Sequence, residues 1–301
     1  MLALFALPGS GWAQQQTAQK SVAVIYPKVR EPFDRVFNDI IQGISQPQPE
    51  AIKEKINILL YQLNSDSKQE KLSTWLKQKN PSAIIALGIS GQNQVLLLKP
   101  TQPVVIGAVK TLQSLPPVYQ GIAFSPDPKV LFNRVKHLAP FVKNIAVVYH
   151  PKHNADLINR ALSMAQSADL VLQTYPATKQ REAAKKYRAI LPTLPRHSAI
   201  WITYDQLDRS VLADILSVAW QRQLVVFSST SSHVKAGALF SLYPNNIVLG
   251  RKLVETALGI NDKNSSNFLQ DVYTAVNLRT ATHLGLKLEK NKDYDLSFPS
   301  R

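Results

Sequence analysis

Polar residues follow an apolar run that has the length and composition of a buried strand. Ala199–Thr203 is followed directly by Tyr204 and Asp205. Ligands of parallel α/β proteins bind beyond the carboxyl ends of the strands, which makes both side chains candidate contacts. The Asp205 carboxylate could pair with an amino group, and Tyr204 offers apolar area and a hydroxyl. An alternative of equal weight makes Asp205 a surface loop residue or the cap of the helix predicted from Asp208.

Other predicted strands also end in hydroxyl-bearing side chains. Leu224–Phe227 runs into a serine-rich segment, where Ser228 and Ser229 offer hydroxyls and backbone amides to a ligand. Tyr26 ends the first predicted strand, and Tyr149 ends a strand in the second half of the chain. The two rings could face each other across a cleft and enclose a ligand. A tyrosine at a strand end, however, serves packing more often than recognition.

A short glycine turn provides a further candidate contact. Gly88–Gly91 precedes a predicted helix, where free amides and the positive end of the helix dipole favour an anion. Ser90 and the adjacent Gly91 could therefore bind a ligand carboxylate. An alternative of at least equal weight makes Ser90 the N-cap of the helix. Ser90 is not expected to be a nucleophile, because the glycines around it lack the G-x-S-x-G spacing.

The elements that would position these residues alternate between strand and helix along the whole chain. Buried strands predicted at 21–26, 56–63, 82–87 and 104–108 alternate with amphipathic helices, and the pattern restarts near residue 130. Such alternation predicts parallel sheets covered by helices on both faces. Two rounds of it predict an α/β protein with two doubly wound lobes and a cleft between their strand ends.

The order of these segments resembles that of ABC-type substrate-binding proteins, in the family that includes tryptophan- and other aromatic-amino-acid-binding members. The resemblance rests on the Tyr-Asp strand end, Val234–Ser241, the helix containing Leu249-Gly250-Arg251, Asn144–His150 before Pro151, and Val276–Leu286. It covers residues 124–286 well and the first hundred residues loosely.

The resemblance implies a periplasmic-binding-protein type I fold, whose chain crosses three times between two lobes joined by a hinge. We therefore expect lobe one to contain residues 21–124 and 236–268, and lobe two to contain 125–235 and 269–301. It also implies a non-enzymatic solute-binding protein that delivers a small ligand from the cleft to a membrane permease driven by an ATPase. The alternative is a degenerate binding fold that acts as a sensory or interaction module for a membrane receptor.

Departures from the family bear on the identity of the ligand. After the fourth predicted strand the family usually carries an Asp-Pro loop and a Pro-Gly-Gly-Asn stretch, but this chain has Gly107–Lys110. Lys110 introduces a cation, so the ligand could be a small anion paired with Lys110 or Lys28 rather than an amino acid. The Ser228–Ser232 loop, often acidic in the family, is neutral here.

Composition argues against several classes of function. The 301-residue chain carries a formal charge of +15, but its cations are spread along the sequence, so we expect no nucleic-acid partner. The absence of cysteine excludes disulfides and thiolate catalysis, and argues against an acylated cysteine anchor. The six histidines lack an accompanying carboxylate cluster and no glycine-rich phosphate loop occurs, so we predict no metal and no cofactor. The expected oligomeric state is a monomer.

The first residues predict export. Residues 1–13 are apolar and end in Gly11-Trp12-Ala13, a small-x-small pattern typical of a signal-peptide cleavage site. The basic residues that usually precede such a stretch are missing, and a buried N-terminal strand or helix is the alternative. We expect the mature chain to begin near Gln14 and to be periplasmic or otherwise exported.

Overall fold

A computed structural model describes residues 20–46, 56–64, 69–112, 115–203, 207–260 and 267–299. The predicted signal segment lies outside these described residues. Within them, the strands form one five-stranded sheet and one seven-stranded sheet, with a helix between most successive strands. The predicted α/β class with two mostly parallel sheets is confirmed.

The first sheet is built from the N-terminal third of the chain. Its strands are β1 (Ser21–Pro27), β2 (Asn57–Leu63), β3 (Ala83–Leu87), β4 (Val104–Val109) and β5 (Gln120–Ala123), and its helices are α1 (Asp34–Ser45), α2 (Gln69–Lys79) and α3 (Gly88–Leu98). The order is β2-β1-β3-β4-β5, with every pair parallel. β3 and β4 are buried along their whole length, as their continuous apolar sequences require of strands covered on both faces.

The second sheet is built from the remainder of the chain. Its strands are β6 (Asn144–Tyr149), β7 (Val171–Pro176), β8 (Ala199–Ile202), β9 (Val225–Ser228), β10 (Phe240–Pro244), β11 (Val272–Asn277) and β12 (Leu296–Phe298). The helices of this part are α4 (Pro128–Leu138), α5 (Pro151–Ser167), α6 (Gln180–Ile190), α7 (Arg209–Arg222), α8 (Ser231–Ala236), α9 (Asn246–Ala257) and α10 (Leu278–His283). The order is β12-β11-β10-β9-β8-β6-β7, and β10 pairs with β11 in antiparallel orientation.

Aromatic side chains fill the core on one face of the second sheet. The ring centroid of Trp201 lies 6.0 Å from that of Phe132 and 6.2 Å from that of Phe227, and Phe227 stacks on Phe240 at 5.3 Å. All four side chains are excluded from water. This packing holds β8 and β9 in place within the sheet, and with them the position of their carboxyl ends.

Helix α9 follows β10 of the second sheet in the chain, but it packs against α1 and the first sheet. Glycines allow the close approach of the two helices. A Cβ atom at Gly43 would lie 2.0 Å from the Ile247 carbonyl oxygen, and one at Gly250 would lie 2.1 Å from the Ile40 carbonyl oxygen. We call the five-stranded sheet with α1–α3 and α9 lobe one, and the seven-stranded sheet with the other helices lobe two.

The prediction that residues 236–244 belong to lobe one is wrong. Ala236 ends α8, and β10 pairs with β9 and β11 inside the seven-stranded sheet. The apolar run after Gly237 fits either sheet by composition, so only the pairing of its backbone decides between them. The chain crosses to lobe one between β10 and α9.

The segments that connect the lobes are hydrogen-bonded to one another. The Leu269 amide donates to the Ser125 carbonyl oxygen (3.0 Å), and the Asp127 amide donates to the Leu269 carbonyl oxygen (2.7 Å). The buried Asp127 carboxylate caps α4 by accepting from the Lys129 amide (3.0 Å), and it accepts from Arg160 of α5 at 3.2 and 2.7 Å. The connection is therefore anchored to two helices of lobe two.

Candidate functional site

A cleft of about 690 Å³ lies between the lobes, at the carboxyl ends of strands from both sheets. Lobe one contributes Ile89 at the start of α3, residues 108–111 around the end of β4, and the connecting residues Phe124 and Ser125. Lobe two contributes the ends of β6, β7 and β8 and the first residues of α5 and α6. The volume falls within the range of about 300–1,000 Å³ that is typical of small-molecule sites.

In lobe two the cleft lies where the strand order reverses. The connection from β6 leads through α5 to β7 on one side, whereas β8 lies on the other side of β6. The connections from β6 and from β8 thus diverge at this point, which leaves a crevice above the strand ends. It is lined by Tyr149 at the end of β6, by His150 directly after β6, and by Thr203 after β8.

A β-bulge shapes the lobe-one wall of the cleft. The pairing of β4 with β5 shifts register between Gly107 and Val109, and Ala108 between them has a φ of 57°. Bulges are a common means of re-aiming side chains beside binding sites. The Ser125 hydroxyl donates to the Lys110 carbonyl oxygen (3.1 Å) and fastens the segment after the bulge to the connection between the lobes. Lys110 therefore lines the cleft from a constrained backbone.

Two histidines stand at the start of α5. His150 is the N-cap of the helix, and its Nδ1 accepts a hydrogen bond from the Lys152 amide (3.2 Å). The ring of His153 lies 4.4 Å from that of His150, measured between centroids. Because Nδ1 of His150 is an acceptor, the proton of the neutral ring lies on Nε2, which remains as the donor of that ring.

The start of α6 is held by a capping interaction. The Thr178 amide and hydroxyl both donate to Oε2 of Glu182, at 2.8 and 3.2 Å, and Lys186 lies 3.2 Å from Oε1. The amide of Thr178 and then Lys186 hold the pKa of the Glu182 carboxyl below its usual value. The Glu182 carboxylate is thus satisfied within lobe two, while Thr178 and Lys179 line the cleft.

Of the lobe-one residues predicted as site residues, some line the cleft and others do not. Lys110 lines the cleft, whereas Tyr26 packs against the lobe-one core and Lys28 is an exposed residue after β1. Ser90 is exposed in the first turn of α3. Gly91 is closely packed, because a Cβ atom at this position would lie 3.0 Å from the Ile25 carbonyl oxygen. The N-cap of α3 is Leu87, so the alternative assignment of Ser90 as N-cap is wrong.

The site residues predicted in lobe two also lie partly in the cleft wall and partly elsewhere. Tyr149 lines the cleft, without Tyr26 among the described lining residues opposite it. Tyr204 and Asp205 lie outside the described residues, between Thr203 and Leu207, which both line the cleft. Ser228 is fully buried against His233 of α8, and neither it nor Ser229 is among the described residues that form the cleft wall.

Sequence reasoning missed several polar residues of the cleft wall. They are Thr111, Ser125, His150, His153, Asn154, Thr178, Lys179, Gln180 and Thr203. The segment 177–180 was open to prediction, because it joins a predicted strand to a predicted helix at the same sheet edge as Tyr204. The lining role of His153 and Asn154 was harder to foresee, because it depends on how the first turn of α5 meets lobe one.

The described ranges offer no group of three or more His, Cys, Asp or Glu side chains that could hold a metal ion. In the same part of the chain, no helix is both long enough and apolar enough to cross a membrane.

Two lobes, each with a mostly parallel sheet, and a cleft at their strand ends define a binding protein of the type I periplasmic-binding kind. The chain belongs to the family of ABC transporter substrate-binding proteins, whose family model matches residues 34–289. The family predicted from the residues is therefore confirmed, and it is a family of substrate-binding proteins rather than of enzymes. No curated protein matches the chain.

Solved structures share the fold at low sequence identity. A ligand-free, open substrate-binding protein with adhesive properties from Clostridium difficile has a TM-score of 0.63 and 17% identity, covering 94% of this chain and 100% of its own. An ABC domain from Streptococcus pneumoniae in complex with L-Trp has a TM-score of 0.54 and 17% identity, covering 93% and 100%. A conserved domain protein from Vibrio cholerae has a TM-score of 0.53 and 17% identity, covering 93% and 99%.

Proposed function

We propose that this chain is the exported solute-binding component of an ABC-type uptake system and binds a small amino-acid-like or anionic ligand between its lobes. The observation that carries the proposal is the interlobe cleft, which combines an apolar floor with polar groups at strand ends and helix starts. Membership of the substrate-binding family supports delivery of the ligand to a membrane permease and its ATPase.

The binding step follows from the arrangement of the lobes. A ligand that contacts both walls stabilises the closed form over the open form, because only the closed form satisfies both sets of contacts. Lys110 from lobe one and Tyr149 from lobe two are the predicted site residues on opposite walls. Asp205 and Tyr204 remain proposed contacts, since they continue the segment that starts at the lining residue Thr203.

Export is proposed from the apolar stretch of residues 1–13 and its Gly11-Trp12-Ala13 pattern. N-terminal sequencing of the protein recovered outside the cytoplasm should start near Gln14. A cytoplasmic protein that retains Met1 would contradict this part of the proposal.

A thermal-shift screen of the chain from Gln14 onward tests the binding function. The screen should include amino acids, aromatic compounds, small carboxylates, oligopeptides and phosphorylated solutes. A ligand at 100 times its dissociation constant adds about 2.7 kcal/mol to the free energy of unfolding, which is readily detected. A saturable shift supports solute binding. No shift from any compound, with protein verified as ligand-free by mass spectrometry, overturns it and favours an interaction module for a membrane receptor.

A further inference from the structure

Two of the crossings between the lobes, residues 123–127 and 267–269, form a short parallel ribbon. The Ala123 amide donates to the Asn267 carbonyl oxygen (2.9 Å), and further along Leu269 pairs with the first crossing in parallel orientation. Backbone hydrogen bonds therefore join the two crossings along their length, and they form one structural unit. We call these two segments the hinge ribbon.

The hinge ribbon is a continuation of lobe one. Its first strand continues β5, and the Phe124 amide donates to the Val109 carbonyl oxygen of β4 (2.8 Å). The Ser125 hydroxyl donates to the Lys110 carbonyl oxygen at 3.1 Å. Leu269 from the other strand is buried in the lobe-one core. Bending between the ribbon and lobe one would break these contacts, so we expect the ribbon to move with lobe one.

One side chain of lobe two contacts both strands of the hinge ribbon. Arg160 of α5 donates from Nε to Oδ1 of Asp127 (3.2 Å) and from a terminal nitrogen to Oδ2 (2.7 Å). Its guanidinium carbon also lies 6.0 Å from the centre of the Phe268 ring, on the other strand. The Asp127 side chain is only 1% exposed. A bidentate pair of this kind fixes the geometry of its partners as well as stabilising them.

Helix α5, which carries Arg160, also forms part of the cleft wall. Its N-cap is His150, and His153 and Asn154 in its first turn line the cleft. Arg160 lies further along the helix and is not among the described lining residues. Because a helix moves as a rigid element, α5 connects the position of the hinge ribbon with the position of the cleft wall.

From these contacts we infer that Arg160 is a positioning residue, which sets the angle between the lobes through Asp127 and Phe268 without touching the ligand. The inference rests on the proposed function, because a protein that binds by closing a cleft depends on the angle between its lobes. Loss of the pair with Asp127 loosens the attachment of the ribbon to lobe two, so the lobes sample a wider range of angles.

The range of angles can be measured on the ligand-free protein, so failure of this inference is separable from failure of solute binding. Nitroxide labels at Ser90→Cys in lobe one and Arg181→Cys in lobe two report it as a distance distribution in double electron–electron resonance. Both positions are exposed, and the chain has no cysteine of its own.

Asp127→Asn is the deciding variant. Asparagine is as good an N-cap as aspartate, so the start of α4 is kept. Either orientation of its amide, however, places an N–H group against the Arg160 guanidinium, which can only donate. We expect the width of the distance distribution to grow about twofold as the lobes move more freely.

Asp169→Asn is the matched control, because it makes the same change in an exposed ion pair of lobe two. The Asp169 carboxylate lies 2.7 Å from Nζ of Lys143, and the two side chains are 82% and 58% exposed. Residue 169 has a φ of 55°, which asparagine tolerates. The control should keep the distribution of the parent protein. Broadening in the control equal to that in Asp127→Asn would overturn the inference.

Arg160→Lys keeps the test decisive if Asp127→Asn does not fold. Lysine retains the charge but lacks the planar fork that binds Asp127 and lies over Phe268, so this variant should also broaden the distribution. Thermal unfolding of each variant separates positioning from stability, because a purely structural role lowers the unfolding midpoint and leaves the distribution unchanged. A folded variant, of either residue, that keeps the width of the parent protein would overturn the inference.

Discussion

At the scale of single residues, Ser228 and His233 show how a candidate ligand contact can serve stability instead. Ser228 Oγ lies 2.8 Å from Nδ1 of His233, and it also accepts from the Thr230 amide (3.2 Å). This arrangement suits a neutral imidazole whose Nδ1 accepts a hydrogen bond from the Ser228 hydroxyl. If Nδ1 were protonated, the buried hydroxyl would need a new acceptor for its own hydrogen.

The first prediction concerns the pH dependence of stability through His233. Burial lowers the pKa of His233 below its usual value of 6.5, so the unfolded state binds the proton more readily than the folded state. This contribution to the free energy of unfolding is complete above pH 6.5 and is lost as the pH falls from there through the lowered pKa. Urea unfolding at a series of pH values from 8 to 5 measures the loss.

His233→Gln removes the titrating group and keeps a side chain of similar length that can accept from Ser228. The variant should therefore lose less stability between pH 7 and pH 5 than the parent protein. Equal losses in the two proteins would show that His233 does not contribute to the acid sensitivity.

At the scale of secondary-structure elements, the contact between α1 and α9 attaches the helix that follows β10 of lobe two to lobe one. The reciprocal approach of Gly43 to Ile247 and of Gly250 to Ile40 leaves no room for a side chain in either direction. Because the obstructing atoms are backbone carbonyls, rotamer changes cannot relieve a clash; the helices would have to separate.

The second prediction follows from this geometry. Gly250→Ala should destabilise the protein by about 1–3 kcal/mol through overpacking, even though alanine gains about 0.8–1 kcal/mol in helix propensity. Gln42→Ala on α1 is the control, because residue 42 is exposed and gains propensity without a clash. The midpoint of urea unfolding measures both changes. A more stable Gly250→Ala variant would mean that the helices separate at little cost.

The sequence predicts the secondary-structure elements more completely than it predicts their arrangement in the sheets. Hydrophobic periodicity was enough to expect two alternating α/β units, because buried parallel strands and amphipathic helices each leave a local pattern. Which sheet β10 joins, and which strand ends face the cleft, depend on strand order and on the bulge at Ala108, which leave no such pattern. Lys110 and Tyr149, predicted from the sequence as ligand contacts, line the cleft. The lining positions of Thr178 and His153 depend on the packing of α5 and α6, which leaves no local pattern.

At the scale of the whole molecule, the lobes are joined by backbone segments that constrain how they move. The connection at Ser125–Asp127 is hydrogen-bonded to Leu269, and the Asn245 amide of the other crossing donates to the Asp271 carbonyl oxygen (3.3 Å). Segments tied side by side permit bending about a common axis more readily than independent rotation of each lobe. Closure of the cleft by hinge bending is thus the motion that the connection allows.

The last prediction is that ligand binding closes the cleft, measured as a distance between the lobes. The chain has no cysteine, so Ser90→Cys on α3 and Arg181→Cys on α6 introduce the only sites for thiol-reactive fluorophores. Both positions are exposed, and each neighbours a lining residue, Ile89 or Gln180. Saturation with the compound of largest thermal shift should raise energy transfer between the labels, because closure brings the two rims together.

The control places both labels on lobe one, at Leu97→Cys and Val118→Cys, which are exposed at 62% and 78%. Energy transfer in this pair should not change, because hinge bending leaves distances within a lobe constant. A compound that binds with a large thermal shift yet leaves the inter-lobe signal unchanged would show that the ligand is held by one lobe. Binding would then be separated from closure.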